Sequence, residues 1–298
     1  SIHVYPTFNS LQMLAHRLLL PYQEMRMVSL TGRPWKAFDA ALIRGERMLG
    51  VLTDRVKTPA AIAARMQEYG YDNYRMYVGE ALGNAAEERV RELTVEEARH
   101  TTFQSPNCLI LVRTALRRRP LGLKESEFAL LNGRVNMITK RPVRLQTLSM
   151  LDLQMRTVFW DIGSCTGSVS IEAKSLYPEL EVIAFERRPE GAELLRANSV
   201  KWGTPGIRFV GGDFMEQPLA DLPRPDAVFI GGHGGRLQEL LKRADEVLLP
   251  GGVVVFNSVS VDSLQQFYEG VAQTGRRVTE RIRLVVDAHN PIEILKAE

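Results

Sequence analysis

The stretch Thr157-Val158-Phe159-Trp160-Asp161-Ile162-Gly163-Ser164-Cys165-Thr166-Gly167 constrains this chain more than any other. A short apolar run of strand character enters a turn of small residues. Residues 168–176 then place Val169, Ile171, Ala173 and Leu176 at helical spacing. A strand, a tight glycine turn and a helix N-terminus present free backbone N–H groups to a polar, phosphate- or nucleoside-like ligand, and glycine lets the backbone come close to it. The alternation then continues. Strands are expected at 158–162, 182–185, 207–210, 227–230 and 253–256, with helices at 189–202, 236–248 and 261–274, and two late strands at 278–286 and 292–295. Strands alternating with helices imply an α/β fold built on a parallel, doubly wound sheet with short right-handed crossovers. Ligands of such sheets lie beyond the C-terminal strand ends, where the strand order reverses. Asp161, Gly163, Glu186, Asp213, Gly231, Gly232 and Asn257 all fall at expected strand ends.

A chain of 298 residues allows two domains, and a hydrophobic fraction of 45% is enough for an ordinary core. The net charge of +3, with both signs mixed, argues against a dedicated nucleic-acid binder. The dense basic run from Arg113 to Arg119 reads as a solvated interdomain linker. No apolar run reaches membrane-spanning length, and no signal peptide is visible. Cys108 and Cys165 form no C-x-x-C pair, so neither a zinc site nor a disulfide framework is expected, and reduced thiols in the cytoplasm are the default. The chain opens at Ser1 directly in strand-like sequence, Ile2-His3-Val4-Tyr5, which leads to the expectation that this is not the natural N-terminus.

Three segments are expected. Residues 1–115 form an α/β unit, with helices at 11–20, 35–44 and 59–69 and strands at 27–30, 47–53, 74–78 and 107–114. Pro59 suits a first helical position, and Thr94 with Glu97 has capping-box spacing. Residues 116–150 form a linker and a helical lead-in, with a short helix at 124–128 and a second one capped by Thr139. Residues 151–298 form the alternating domain.

The turn excludes two common ligands. Its G-x-C-x-G is not the dinucleotide fingerprint G-x-G-x-x-G, and no Gly-Lys-Ser/Thr follows as in a P-loop. Asp161, two residues before Gly163, would repel a pyrophosphate and would suit a cationic ligand bearing an amino group and a sulfonium. Glu186, about 20 residues past the turn, is placed for ribose hydroxyls. On these residues the stretch resembles motif I of the class I S-adenosylmethionine-dependent methyltransferases, D-x-G-x-G-x-G, with Cys165 in place of the middle glycine. Glu186 matches the family's ribose-binding acid. Gly212-Asp213-Phe214 matches its adenine contact, where an Asp can accept from the amino group and a Phe can pack on the ring.

The fourth strand ends in Phe229-Ile230-Gly231-Gly232-His233-Gly234-Gly235, without the Asn/Asp-Pro-Pro-Tyr/Phe of many base-amino methyltransferases. Four glycines around one His make a loop able to lie flat against a large planar ligand. Together with Gly122-Leu123 and Phe128, Ile138-Thr139-Lys140-Arg141-Pro142-Val143-Arg144, Pro225-Asp226-Ala227-Val228, Leu249-Pro250-Gly251-Gly252 and Asn257-Ser258-Val259-Ser260, this loop makes residues 121–298 resemble the decarboxylating precorrin methyltransferases of cobalamin synthesis. The resemblance implies S-adenosylmethionine as cosubstrate, held by Thr139, Asp161, Gly163, Ser164, Cys165, Thr166, Gly167, Glu186, Gly212, Asp213, Phe214 and Gly231. It implies methylation at C15 of the macrocycle with loss of CO2 from the acetate on C12. The conjugated ring takes the electrons, so the protein need not supply a strong base. Lys140, Arg141 and Arg144 are expected to neutralise substrate carboxylates, and His233 and Asn257 to face the ring.

Residues 1–115 resemble the C-terminal half of the tetrapyrrole methylases, in the C5-methylating precorrin branch. The matching residues are Tyr5-Pro6-Thr7-Phe8-Asn9-Ser10-Leu11-Gln12, Ser29-Leu30-Thr31-Gly32-Arg33-Pro34, Leu52-Thr53-Asp54, Thr58-Pro59-Ala60-Ala61, Glu80-Ala81-Leu82-Gly83 and Pro106-Asn107. The first half of that family, with its Gly-rich turn, would precede Ser1, so C5 methylation by this chain alone is expected to be absent or very weak. The combined expectation is a cytoplasmic, homo-oligomeric C5,15-methyltransferase (decarboxylating) with an intact C15 half. It would act on a precorrin, with no metal, nucleic acid or membrane as partner. The alternatives are a class I methyltransferase acting on a nucleobase such as tRNA adenine, a NAD-dependent oxidoreductase and a non-catalytic tetrapyrrole carrier. The modest charge and the Gly-rich loop count against the first, and the broken dinucleotide fingerprint against the second.

Overall fold

Strands buried on both faces set the architecture of the second half of the chain. In the computed structural model, which describes residues 2–3, 7–286 and 291–298, β6 (Val158–Ile162), β7 (Glu181–Glu186), β9 (Ala227–Ile230) and β10 (Val253–Ser258) are almost continuously buried. Such strands belong inside a parallel sheet covered by helices on both sides. With β8 (Ile207–Gly211), β11 (Val278–Leu284) and β12 (Ile292–Ala297) they form a seven-stranded sheet in the order β11-β12-β10-β9-β6-β7-β8. The strands from β8 to β10 are parallel, whereas β12 runs antiparallel to β10 and β11 antiparallel to β12. The expected doubly wound sheet is therefore present, closed at one edge by an antiparallel pair. The chain moves outward from β6 to β7 and β8, then returns to pair β9 with the other side of β6. The strand order reverses there, between β6 and β9.

The chain divides into two compact units, residues 1–118 and 119–298. The first holds a five-stranded sheet in the order β1-β2-β5-β3-β4, from β1 (Arg26–Ser29), β2 (Met48–Leu52), β3 (Tyr74–Glu80), β4 (Arg89–Thr94) and β5 (Asn107–Arg113). Its helices are α1 (Ser10–Arg17), α2 (Lys36–Arg44), α3 (Pro59–Glu68) and α4 (Val95–Arg99). Pro59 opens α3, whose N-cap Thr58 accepts from the Ala61 amide, and the Thr94–Glu97 capping box forms at α4. Strand β4 carries Arg89, Arg91 and Glu92 at the sheet edge, where no apolar alternation announces it. Of the expected N-terminal strand, Val4 and Tyr5 lie outside the described residues, as does Pro6, and Ile2 and His3 have no regular structure.

The basic run is not a solvated linker. The Arg113 guanidinium donates to the carbonyl of Gly45, the residue that caps the C-terminus of α2. Arg117 donates to the carbonyls of Tyr69 (2.6 Å) and Gly70 (3.1 Å), where α3 ends, and lies over the Tyr71 ring. Arg119 reaches the carbonyl of Gly203, 3.2 Å away, at the end of α7 (Gly191–Trp202). Each arginine thus satisfies carbonyls that a helix leaves unpaired at its C-terminus, where the helix dipole also favours positive charge.

From Arg119 onward the expected linker is part of the second unit. Leu123, Phe128 and Ile138 form a buried cluster with Ile171, Ala184 and Leu195. Helix α5 (Arg141–Met150) starts one residue later than a Thr139 cap requires, with Lys140 at the N-cap. The Glu125 carboxylate accepts from the Arg141 amide in place of a cap, and the Thr139 carbonyl is taken by the Arg144 guanidinium at 2.7 Å. Arg144 is fully buried and pairs with Glu172 of α6 (Ser168–Leu176) at 2.5 Å, and it also donates to the Leu123 carbonyl. Glu172 in turn accepts from the amides of Gly122 (2.6 Å) and Leu123 (3.2 Å). Arg144 therefore does not meet a substrate carboxylate, as the sequence led us to expect, but fastens the lead-in segment to α6.

Breaking a buried pair by removing one partner is far more costly than replacing both, because a lone buried charge remains. Arg144→Met is expected to destabilise the second unit by ~3–5 kcal/mol. Arg144→Met combined with Glu172→Leu is expected to recover much of that loss. Chemical denaturation followed by tryptophan fluorescence checks both, since Trp160 and Trp202 report on this unit.

Candidate active site at the reversal of strand order

The ends of β6 and β9 meet closely enough to dictate their residues. The amides of Gly231 and Gly232 both point to the Ile162 carbonyl, at 2.8 and 3.3 Å, while those of Gly163 and Ser164 bond the Phe185 carbonyl of β7 at 2.9 and 3.0 Å. A Cβ on Gly163 would lie 2.6 Å from the Gly232 nitrogen, and the residue has a φ of +79°. Only glycine fits on both counts. Gly167, the N-cap of α6, does not line the cavity that this turn borders, and a Cβ there would strike Leu195. Asn198 of α7 donates to the Thr166 carbonyl (2.9 Å) and exchanges bonds with the backbone of Ala129, so the turn and the lead-in segment share one anchor.

This turn borders a cavity of about 460 Å³, within the range of small-molecule sites. One side is formed by Asp161, Gly163, Ser164, Cys165 and Thr166. Glu186, Gly212, Asp213 and Phe214 come from the ends of β7 and β8, and Gly231, His233 and Asn257 from the ends of β9 and β10. Thr139 and Lys140 complete it, with Asn136, Met137 and Ile138, which the sequence did not single out. Arg141 is not part of this cavity. Its neighbourhood is a separate depression shared with Lys124, Glu125 and Pro142.

The carboxylates differ sharply in environment. Asp161 is 1% exposed, and its Oδ2 accepts from the Ser170 amide (3.2 Å) and hydroxyl (2.6 Å). Its other oxygen has no hydrogen-bond partner among the described residues, and neither has the buried Ser164 hydroxyl. Burial drives the Asp161 carboxyl up to about 7 against the pull of Ser170, and the nearby Glu186 charge adds to the rise. A buried, half-satisfied acid beside a cavity is matched to a ligand that brings a positive N–H group. Glu186 is better supported. It accepts from the Cys165 amide (2.9 Å) and the Arg188 amide (2.9 Å), and the Arg188 guanidinium lies 3.2 Å away. These bonds leave further acceptor positions on a carboxylate, which suits vicinal hydroxyls. Asp213 caps its own turn through the Met215 amide at 2.9 Å.

Phe214 lines the cavity with one edge and is otherwise core, its ring set edge-on to Phe185 and Trp160. Trp160 is wholly buried and donates to the Pro223 carbonyl at 3.1 Å, so it is a packing residue and not a ligand contact. The His233 ring stands edge-on to Phe256, and burial lowers its affinity for a proton. Asn257 Oδ1 lies 3.1 Å from the Thr147 hydroxyl of α5. Cys165, at a φ of +49°, is a non-glycine residue in left-handed backbone, held there by the bond from its amide to Glu186. Burial, followed by the Glu186 charge, raises its thiol pKa.

Two substitutions separate these backbone effects. Gly163→Ala is expected to abolish ligand binding and to lower the melting temperature, because the atom it meets is backbone and cannot move aside. Cys165→Gly, which keeps the amide bond to Glu186 and removes the left-handed cost of ~1 kcal/mol, is expected to hold or raise the melting temperature. Thermal melts of the three proteins side by side check this.

With this geometry established, comparison with known proteins gives a consistent answer. Residues 133–296, more than half of the chain, match the family model described as the precorrin methyltransferase domain. A precorrin-6Y C(5,15)-methyltransferase (decarboxylating) of Sinorhizobium sp is 33% identical over 261 residues, which are 88% of this chain and 62% of that protein. This chain thus spans less than two thirds of that relative's length. A cobalt-precorrin-6B C(15)-methyltransferase (decarboxylating) of Salmonella typhimurium is 34% identical over 162 residues, 54% of this chain and 83% of the relative. Among solved structures, a precorrin-6y C5,15-methyltransferase from Geobacter metallireducens superimposes with a TM-score of 0.56 at 37% identity, covering 61% of this chain and 99% of that one. The glycine-lined reversal point and its buried acids therefore lie in a recognised context: the chain belongs to the precorrin methyltransferase domain family.

Proposed function

We propose that the second unit binds S-adenosylmethionine at the turn 163–167 and methylates a precorrin at C15, with loss of CO2 from the acetate on C12. The observation that carries the reading is the pair of buried acids at neighbouring strand ends, Asp161 with one unpaired oxygen and Glu186 with acceptor positions to spare. Asp161 answers a methionine-type ammonium and Glu186 the ribose hydroxyls, while Asp213 and the Phe214 edge lie where an adenine would end. Bound in this way, the cosubstrate supplies an electrophilic methyl on a sulfonium. The protein's own part is positional: the glycine turn lets the backbone come close, the 136–140 wall excludes water, and His233 and Asn257 border the side from which a planar substrate would approach. Neither side chain has to act as a strong base, because the conjugated ring can take the electrons left by CO2. Placement in the cytoplasm and self-association form part of the same proposal. The two free cysteines agree with a reducing compartment, and no helix among the described residues is long and apolar enough to cross a membrane.

The test is incubation with methyl-labelled S-adenosylmethionine and a precorrin bearing the C12 acetate. The product is expected to gain one methyl and to release one CO2 per turnover. Transfer to tRNA adenine instead would overturn the reading.

The raised Asp161 carboxyl adds a pH signature. A folded-state pKa of about 7 against an unfolded value of ~4 means that the ligand-free fold holds an extra proton between those limits. Its stability is therefore expected to fall as pH rises through that window. Affinity for S-adenosylmethionine should run the opposite way, rising towards pH 8 as the carboxylate forms. Asp161→Asn should flatten both trends, which calorimetric titration and thermal melts across pH 5–8 would reveal.

A further inference from the structure

The cavity carries more positive charge than its nucleoside side uses. Its lining includes Lys140, Arg187, Arg188 and Arg236. Arg188 is committed to Glu186 at 3.2 Å, and Arg236 to Glu239 at 2.6 Å. Among the described residues Lys140 hydrogen-bonds only a neutral acceptor, the Val135 carbonyl at 2.9 Å, although its charge is felt by Glu125 nearby. Arg187 follows Glu186 at the end of β7 and has no carboxylate partner among the described residues. Among the described residues no acid of the lining pairs with either cation: Asp161 is buried and bonds Ser170, Glu186 pairs with Arg188, and Asp213 caps its own turn.

Arg187 also has a fitted seat. Its guanidinium crosses the glycine loop at Gly234, where a Cβ would lie 2.9 Å from one terminal nitrogen and 3.5 Å from Cζ. A bare backbone at this point leaves room for the guanidinium of the exposed Arg187 to approach the loop. A guanidinium with its fork uncommitted is suited to bidentate capture of a carboxylate. A cavity of about 460 Å³ has room for a nucleoside-sized ligand but not for a macrocycle beside it, so the macrocycle would lie across the rim, where these two cations are.

We propose that Arg187, seated on Gly234, and Lys140 form a carboxylate-binding subsite at the cavity rim that selects a polycarboxylate substrate. Lys140 keeps the role that the sequence gave it together with Arg141 and Arg144, and Arg187 joins it. The inference rests on the precorrin reading above and adds the residues that recognise the substrate's acid side chains.

The experiment titrates wild type and variants with an octacarboxylate porphyrin and with its octamethyl ester by fluorescence, and with S-adenosylhomocysteine by calorimetry. Wild type should bind the acid and not the ester. Arg187→Ala should weaken acid binding about tenfold, a charge-assisted hydrogen bond's worth. Arg187→Lys should recover part of that, and Lys140→Ala should add to the loss. Gly234→Ala should act in the same direction as Arg187→Ala by displacing the guanidinium. The Arg187→Ala, Arg187→Lys and Gly234→Ala variants should keep wild-type affinity for S-adenosylhomocysteine. Unchanged porphyrin affinity in the Arg187→Ala, Lys140→Ala double variant overturns the inference alone. So does a parallel loss of S-adenosylhomocysteine binding in Arg187→Ala, which would place that residue on the nucleoside side. Wild type that binds S-adenosylhomocysteine but neither porphyrin overturns the precorrin reading and the subsite with it.

Discussion

The contact on which the second unit depends is between two stretches of bare backbone, Gly163 after β6 and Gly232 after β9. Parallel strands that part in opposite directions usually leave a crevice between their ends. Here the crevice is closed at its base by amides converging on one carbonyl, that of Ile162, and opens only above it. The close approach fixes where the turn can go, the turn fixes where α6 begins, and α6 carries both Ser170, which holds Asp161, and Glu172, which holds Arg144. A single steric requirement for glycine therefore propagates into the buried acid that lines the cavity and into the segment beside it.

Burial treats the charged groups in two ways. Arg144 and Glu172 are removed from water as a pair whose mutual contact and backbone hydrogen bonds offset their desolvation, and they fasten the lead-in segment to α6. Asp161 is removed from water as a single acid with one oxygen unmatched. A fold that tolerates such a group without a partner has stored a preference for whatever supplies one. The contrast between a completed and an uncompleted buried charge, a few residues apart, separates scaffold from site more sharply than position alone.

Much of this was legible in the sequence. The strand ends from β6 to β10 and the residues that gather there follow from the alternation of apolar runs and small-residue turns, because a buried parallel strand has few other ways to be written. The dual life of arginine was not legible. Arg144, in Thr139-Lys140-Arg141-Pro142-Val143-Arg144, looks like one more exposed cation, and only the placement of Glu172, twenty-eight positions on, draws it inside. Thr139 suits a helix cap by residue type, but its carbonyl is taken by that same arginine. Arg187 was overlooked beside the more conspicuous Glu186. The signal for it lay in the glycine loop, where Gly234 leaves space for a side chain distant in sequence. Strand β4 escaped because an edge strand of charged residues shows no periodic contrast.

The helix-capping arginines bear on how the molecule looks from outside. Arg113, Arg117 and Arg119 stand in a stretch that reads as a solvated linker, yet each points its guanidinium at the carbonyl end of a helix. The partial negative charge gathered at those ends offsets the guanidinium charge locally. A tally of formal charges along the chain therefore overstates the field that this stretch projects into solvent, and with it the long-range pull on passing nucleic acid.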